Sequence, residues 1–295
     1  MGSRAIRLVR VFVAVVVAAV ADIPHLDASD EAAWPRPKVS QTRQGYWLMD
    51  HGGSVYAFGS APFHGSLGGE CDAYEQACTD MAANFDGTGY WLTDLYCDVF
   101  AFGAAPDYGR PHNEPGVEEC ALASHPTATG LWVFSKYTST VYAAGAANFH
   151  GTYSGQLNGH WLNLVPTRSG NGYWLLASDG GIFSFGDAAF HGSTGAMVLN
   201  KPIVGMAATP TGTGYWLVAE DGGIFTFGDA QFFGSTGGIT LNRPIVDIAT
   251  TPSGNGYWLL ADDGGVFNFG DAQFLGSHGG SGDGMSYYAM SAFSP

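Results

Sequence analysis

The chain has 295 residues, 46% of them hydrophobic and 14% aromatic, with 11 Lys and Arg against 26 Asp and Glu and a formal net charge of −15. So acidic a protein repels phosphate backbones and anionic lipid, which sets aside nucleic acid and anionic membranes and leaves neutral sugars, cations and basic protein surfaces as partners. Gly, at 44 residues, stands at about twice its usual frequency. A glycine-rich disordered chain would be poor in aromatic residues, so the combination points to many tight turns between buried strands.

Arg4, Arg7 and Arg10 precede an apolar run from Val11 to Ala21 that closes on Ala19-Val20-Ala21 before Asp22. A basic start, a short apolar stretch and a small-x-small site predict a cleaved secretory signal over residues 1–21. The run is too short to span a bilayer comfortably, and no later segment is long and apolar enough to be a membrane helix. Residues 22–44 read as a linker or N-terminal extension, and the protein is expected to be secreted or associated with the cell envelope.

From Gly45 onward the dominant signal is internal repetition. Gly172-Tyr173-Trp174, Gly214-Tyr215-Trp216 and Gly256-Tyr257-Trp258 recur at intervals of about forty-two residues. Each opens the stretch G-Y-W-L-x-x-x-D-G-G-(I/V)-F-x-F-G-D-A, and looser copies begin at Gly45, Gly89 and Gly130, the last with Leu131 in place of Tyr. Four short runs per copy are expected as strands A to D: Ile203–Thr209, Tyr215–Ala219, Ile224–Phe227 and Gln231–Ser235 in the fifth copy. Asp221-Gly222-Gly223 fits a B–C hairpin turn, with Pro210-Thr211-Gly212 and Gly228-Asp229 as the A–B and C–D turns. No stretch holds a 3.6-residue apolar period long enough for a helix. The expected fold is therefore all-β: a β-propeller over residues 45–295, with six four-stranded blades closed by the C-terminal strand. Seven blades or an open repeat array are the alternatives.

Strand A carries a column of small residues, Ala82, Ala123, Val165, Ala207 and Ala249, flanked on the same face by Asp80, Ala121, Asn163, Gly205 and Asp247. Its other face shows Met81, Leu122, Leu164, Met206 and Ile248. The small, polar face suits inner strands converging on a narrow channel. Tyr288–Pro295 aligns with Ile203–Pro210 as a sixth strand A, placing Ala292 in the small column and closing the ring. Residues 36–40 are a poorer source for that strand, because they would set Arg36 and Lys38 on the channel face.

The G-Y-W-L-x-x-x-D-G-G-I-F-x-F-G-D-A stretch resembles a repeat of secreted actinobacterial proteins, where arrays stand alone or are joined to cell-wall hydrolases and other exported enzymes. The resemblance runs from Gly45 to Pro295, close in the last three copies and loose in the first three. It implies an extracellular or cell-envelope propeller-like module and brings no established catalytic residues.

Cys71, Cys78, Cys97 and Cys120 are the only cysteines, and in an exported chain they are expected to form two disulfides. By blade topology all four lie at the end formed by the D–A connections, B–C turns and starts of strand A. Cys71–Cys78 with Cys97–Cys120 is the favoured pairing, and Cys78–Cys97 stays open. The spacings lack the paired C-x-x-C of a zinc site. The same end holds Glu70, Asp72, Tyr74, Tyr96, Asp98, Glu118, Glu119 and Tyr137. An acidic surface bearing tyrosines on pinned loops suits a non-catalytic binding or scaffold module for a cell-envelope glycan or protein.

The rival reading is a propeller hydrolase acting on a glycan or ester, with Asp80, Asp247, His125 and Asn163 in the channel. No nucleophile motif, zinc-protease motif or phosphate loop stands outside the repeat. His64, His150 and His191 share a position with Tyr108, Phe233 and Leu275, so packing accounts for them. Asp179, Asp221 and Asp263, with Asp187, Asp229 and Asp271, are spaced so as to suggest calcium, yet fit as turn residues. No cofactor is expected.

Overall fold

The computed structural model describes residues 44–293 apart from 69–70, 72–76, 111–117, 281 and 283. The expected signal segment, nearly all of the linker, and Glu70, Asp72 and Tyr74 fall outside the described residues.

Among the described residues the regular structure is all β. In chain order the strands are β1 (Gly45–Asp50), β2 (Val55–Gly59), β3 (Cys78–Ala83), β4 (Gly89–Asp94), β5 (Val99–Gly103), β6 (Cys120–Ser124), β7 (Gly130–Ser135), β8 (Val141–Gly145) and β9 (Trp161–Pro166). They continue as β10 (Gly172–Ala177), β11 (Ile182–Gly186), β12 (Ile203–Ala208), β13 (Gly214–Ala219), β14 (Ile224–Gly228), β15 (Ile245–Thr250), β16 (Gly256–Ala261), β17 (Val266–Gly270) and β18 (Tyr287–Phe293). They form six three-stranded antiparallel sheets, β18-β1-β2, β3-β4-β5, β6-β7-β8, β9-β10-β11, β12-β13-β14 and β15-β16-β17, here sheets one to six.

The Gly-Tyr-Trp strand, Gly-Leu-Trp in sheet three, is central in every sheet and buried along its whole length. Apolar residues on both of its faces are required because each sheet is covered by a neighbour on either side. In the B–C turn, Gly222 adopts φ +76° and Gly180 +77°. A Cβ there would run into the hydroxyl of Thr236 or Thr194, which instead bonds Asp221 O or Asp179 O at 3.2 Å.

The fourth run of each repeat departs from expectation, since Gln231–Ser235 and its counterparts form no ladder. Side chains hold it instead. The indole N–H of each central-strand tryptophan donates to a carbonyl of its own fourth run at 2.7–2.8 Å, from Trp47 to Pro62 and from Trp216 to Gln231. The tyrosine of the next repeat completes the job: Tyr215 OH donates to Gly192 O at 2.6 Å and accepts from His191 N at 3.1 Å. Tyr46, Tyr90, Tyr173 and Tyr257 make the same double contact with the repeat before them. Backbone groups are thus satisfied without a strand partner.

The two columns of the inner strands meet each other between sheets. Ala82 shares a core cluster with Leu122, Ala123 with Leu164, Ala207 with Ile248 and Ala249 with Met290. The small column is therefore small because the next sheet's bulky column packs into it, not because it faces a channel. The inner strands touch in the cycle β18, β3, β6, β9, β12, β15 and back to β18. At the disulfide end, backbone bonds join a B–C turn to the next inner strand, as in Ile245 N–H to Glu220 O, Tyr287 N–H to Asp262 O and Cys78 N–H to His51 O.

The C-terminal strand pairs with β1, but one residue out of the expected register. Trp47 faces Ser291, whereas Trp216 faces Ala207, so Ser291 and not Ala292 occupies the small column. The shift puts Met290 in the core column with Met206 and Met81, all about 4–5% exposed. The expected register would have turned Met290 to the other face, which a period-two strand does not tolerate.

Candidate functional site

Both favoured disulfides are present. Cys71–Cys78 has a Cα–Cα distance of 5.7 Å and Cys97–Cys120 of 5.2 Å. The second joins the β4–β5 turn of sheet two to the first residue of β6 in sheet three. Cys97 stands where the later repeats have the turn glycine, and it keeps the left-handed conformation at φ +64°. A side chain is costly there, and the disulfide replaces the freedom of glycine with a covalent tie.

Around this staple the surface is polar and aromatic. Tyr137 is 79% exposed, and Tyr96 and Tyr288 are partly so. Asp98 takes a bidentate pair from Arg110, and Lys136 lies 3.8 Å from Glu119. A cavity of about 190 Å³ is lined by Cys78, Thr79, Leu95, Glu119, Lys136 and Tyr288. Burial, with the charges of Asp262 and Glu119, raises the Tyr288 phenol above its ordinary value. The structure thus brings Cys78, Glu119 and Lys136 to one cavity beside the stapled turn. Lys136 and Tyr288 escaped notice in the sequence because neither belongs to the motif.

Asp94, the last residue of β4 and the start of the stapled turn, is 1% exposed. Its Oδ1 accepts from Tyr96 N and Asp98 N at 2.9 Å, while its Oδ2 has no partner among the described residues. Burial raises its pKa, with the charge of Asp98 adding and the N–H bonds and Arg110 opposing. The equivalent Asp50 has its Oδ2 satisfied by Tyr56 OH at 2.9 Å, and Phe100 takes the place of that tyrosine in sheet two.

The residues of the hydrolase reading fall into two groups. Asp80 and Asp247 act on the inner strands: Asp80 takes N–H donors from Met81 and from Leu122 of the next sheet at 2.7 and 2.9 Å. Asp247 takes Ile248 and, across the seam to β18, Met290, both at 2.8 Å. Burial pushes Asp80 up to about 6 against the pull of Lys136. It pushes Asp247 up to about 7, with the Met290 bond opposing and the charge of Asp80 adding. At this level around the inner strands Ala289, Asp80, Ala121, Asn163, Gly205 and Asp247 follow one another, so larger polar side chains alternate with small ones. Asn163 Oδ1 accepts from Leu164 N at 2.8 Å. His125 stands apart, stacked on Trp132 at 5.5 Å, and burial lowers its pKa.

Asp179, Asp221 and Asp263 accept the N–H of the second following residue, as turn aspartates do. Asp187, Asp229 and Asp271 instead take hydroxyls of the A–B turn, from Thr209 and Thr211 at 2.9 and 2.5 Å for Asp229. Partial burial works against them, but these hydroxyls hold Asp187 and Asp229 below the usual carboxylate range. Among the described residues no group of three or more His, Cys, Asp or Glu could hold a metal ion. His64, His150 and His191 pack on the next repeat's tyrosine at 5.4–5.6 Å, as Phe233 does at 5.7 Å.

A chain of the crystal structure of a nidogen–laminin complex is similar over 84% of this chain and 98% of its own length, with a TM-score of 0.57 at 9% identity. The fold is propeller-like. A second solved structure, YCF48 from Cyanidioschyzon merolae, covers 70% of each chain at 16% identity and a TM-score of 0.43. No protein-family model and no curated protein matches the chain. No helix among the described residues is long and apolar enough to cross a membrane.

Proposed function

We propose that this is a secreted, non-catalytic propeller of six blades, closed by β18, that binds a protein or glycan of the cell envelope through its disulfide-bearing end. The cycle of inner-strand contacts and the β1–β18 ladder support six blades in a closed ring. The observation that carries the binding reading is the stapled turn at Cys97–Cys120, with Tyr96 and Tyr137 exposed and Glu119, Lys136 and Tyr288 lining a cavity. Ordered loops that present aromatic and acidic groups bind with little entropic loss. The similar chain comes from a complex of nidogen with laminin, which supports a protein partner for a fold of this kind. The two disulfides fit an oxidising compartment, and the motif's resemblance to exported actinobacterial repeats supports the envelope as its place.

Against the hydrolase reading, Asp80 and Asp247 spend their oxygens on backbone donors that tie sheets together, and His125 is stacked away from them. The test is a glycan array and a cross-linked envelope pull-down with the wild type and Tyr137→Ala/Glu119→Gln. Specific capture lost in the variant is expected. Empty results in both assays, or capture indifferent to the substitutions, would overturn the reading.

A further inference from the structure

The regular half of the ring carries a surface that the repeat motif does not require. The connections from sheet four to five and from five to six, G-A-M-V-L-N-K-P and G-G-I-T-L-N-R-P, occupy equivalent places. Met197 and Ile239 are 55% and 61% exposed and Val198 is wholly exposed; between them lies Phe232, 60% exposed, much as its counterparts Phe63, Phe149, Phe190 and Phe274 are in other repeats. Their backbone is ordered, with Met197 N–H donating to Thr194 O at 2.7 Å and Ile239 N–H to Thr236 O at 3.0 Å. Isolated exposed apolar residues are ordinary, but several on rigid turns around one depression mark a contact surface.

That depression consists of two cavities over sheet five, of about 470 and 280 Å³, which share Lys201 and Asp221 in their walls. The larger is lined by Phe225, Phe232 and Val198 among others, and the smaller by Ile239 and Leu241. The two cations at its rim are already matched: Lys201 lies 3.5 Å from Glu220 and Arg243 lies 3.7 Å from Asp262. The charge left over is that of Asp221, which lines both cavities and accepts the N–H of Gly223 through Oδ1.

From the open apolar walls, the surplus carboxylate and the acidic balance of the chain, we infer that the groove over sheet five docks a basic amphipathic protein segment, a Lys or Arg flanked by large apolar side chains. The cation sits at Asp221 and the apolar groups cover Val198, Phe232 and Ile239. This surface lies on sheets four to six and does not depend on the binding assigned to sheets one to three.

The probe is a fluorescein-labelled fourteen-residue peptide of Leu and Lys in amphipathic order, measured by fluorescence anisotropy against the full chain in physiological salt. A Ser/Lys peptide of equal charge and a Leu/Glu peptide are the controls. The Leu/Lys peptide is expected to bind at least tenfold more tightly than either control. Val198→Ser/Ile239→Ser should weaken it at least tenfold, Asp221→Asn severalfold and Tyr137→Ala not at all. Both serine positions are exposed, so folding is not at stake, and near-UV circular dichroism checks it. Equal binding of the Ser/Lys peptide, undiminished binding by the serine variant, or no binding of the Leu/Lys peptide would overturn the inference. So would self-association in sedimentation that the serine variant abolishes, since the occupant would then be a second copy.

Discussion

Asp80 and Asp247 set the acid–base behaviour of the ring. Their folded-state pKa values, about 6 and about 7, lie above an unfolded value near 4. Each therefore binds its proton more tightly when folded, so its stabilising share is whole below about pH 4 and is lost as pH rises through 6 to 7. The melting temperature should fall by several degrees between pH 5 and pH 8, and Asp80→Asn/Asp247→Asn should flatten that slope in thermal unfolding followed by circular dichroism. Asp187 and Asp229, with lowered values, act in the opposite sense and only at more acid pH. Phe100→Tyr offers a hydroxyl to Asp94 Oδ2 as Tyr56 does to Asp50, and should raise stability by about 1 kcal/mol in denaturant unfolding. At Cys97, Cys97→Gly/Cys120→Ser should exceed Cys97→Ser/Cys120→Ser in stability by about 1 kcal/mol, because glycine adopts the left-handed turn freely. The sequence announced none of these residue effects directly: a desolvated carboxylate and a missing phenol are visible only once the neighbouring sheet is in place.

At the scale of the strand, the tyrosine of G-Y-W belongs as much to the preceding repeat as to its own. Tyr215→Phe removes a donor to Gly192 O and an acceptor for His191 N, and should cost about 1–3 kcal/mol in equilibrium unfolding. This latch explains why four runs were legible in each repeat while only three became strands. Aromatic and turn residues mark a buried extended segment equally well whether its backbone is held by a ladder or by side chains. Strand boundaries, turns and the order of the sheets followed from the repeat itself. The register of β18 did not, because alignment on Pro295 outweighed the apolar column in which Met290 had to stand with Met206 and Ile248. The small column was seen but assigned to a channel, since a period-two pattern names a face without saying what covers it.

For the whole molecule, the proposed closure rests on the β1–β18 ladder. A chain ending at Ser286 would expose β1 along its inner edge and release Asp247 from Met290. Such a truncation should lose cooperative thermal unfolding and aggregate, as followed by calorimetry and light scattering. The polar groups of the candidate site were legible as composition, because acidic and tyrosine residues gather in the repeats that break the motif. The apolar groove over sheet five was not, since Val198 and Ile239 look like ordinary repeat residues until their exposure is known.

Leu131 gives a last consequence. Of the six boundaries between sheets, that between two and three alone lacks the G-Y-W tyrosine, leaving the single bond from Tyr108 OH to Thr129 O at 3.2 Å in place of the double contact, and it is the one crossed by Cys97–Cys120. Where the protein is oxidised, the covalent bond makes good the missing latch. Under a reductant the same boundary becomes the weakest joint, so the sheets of the proposed ring should part there first, in mid-chain, and not at the β1–β18 ladder.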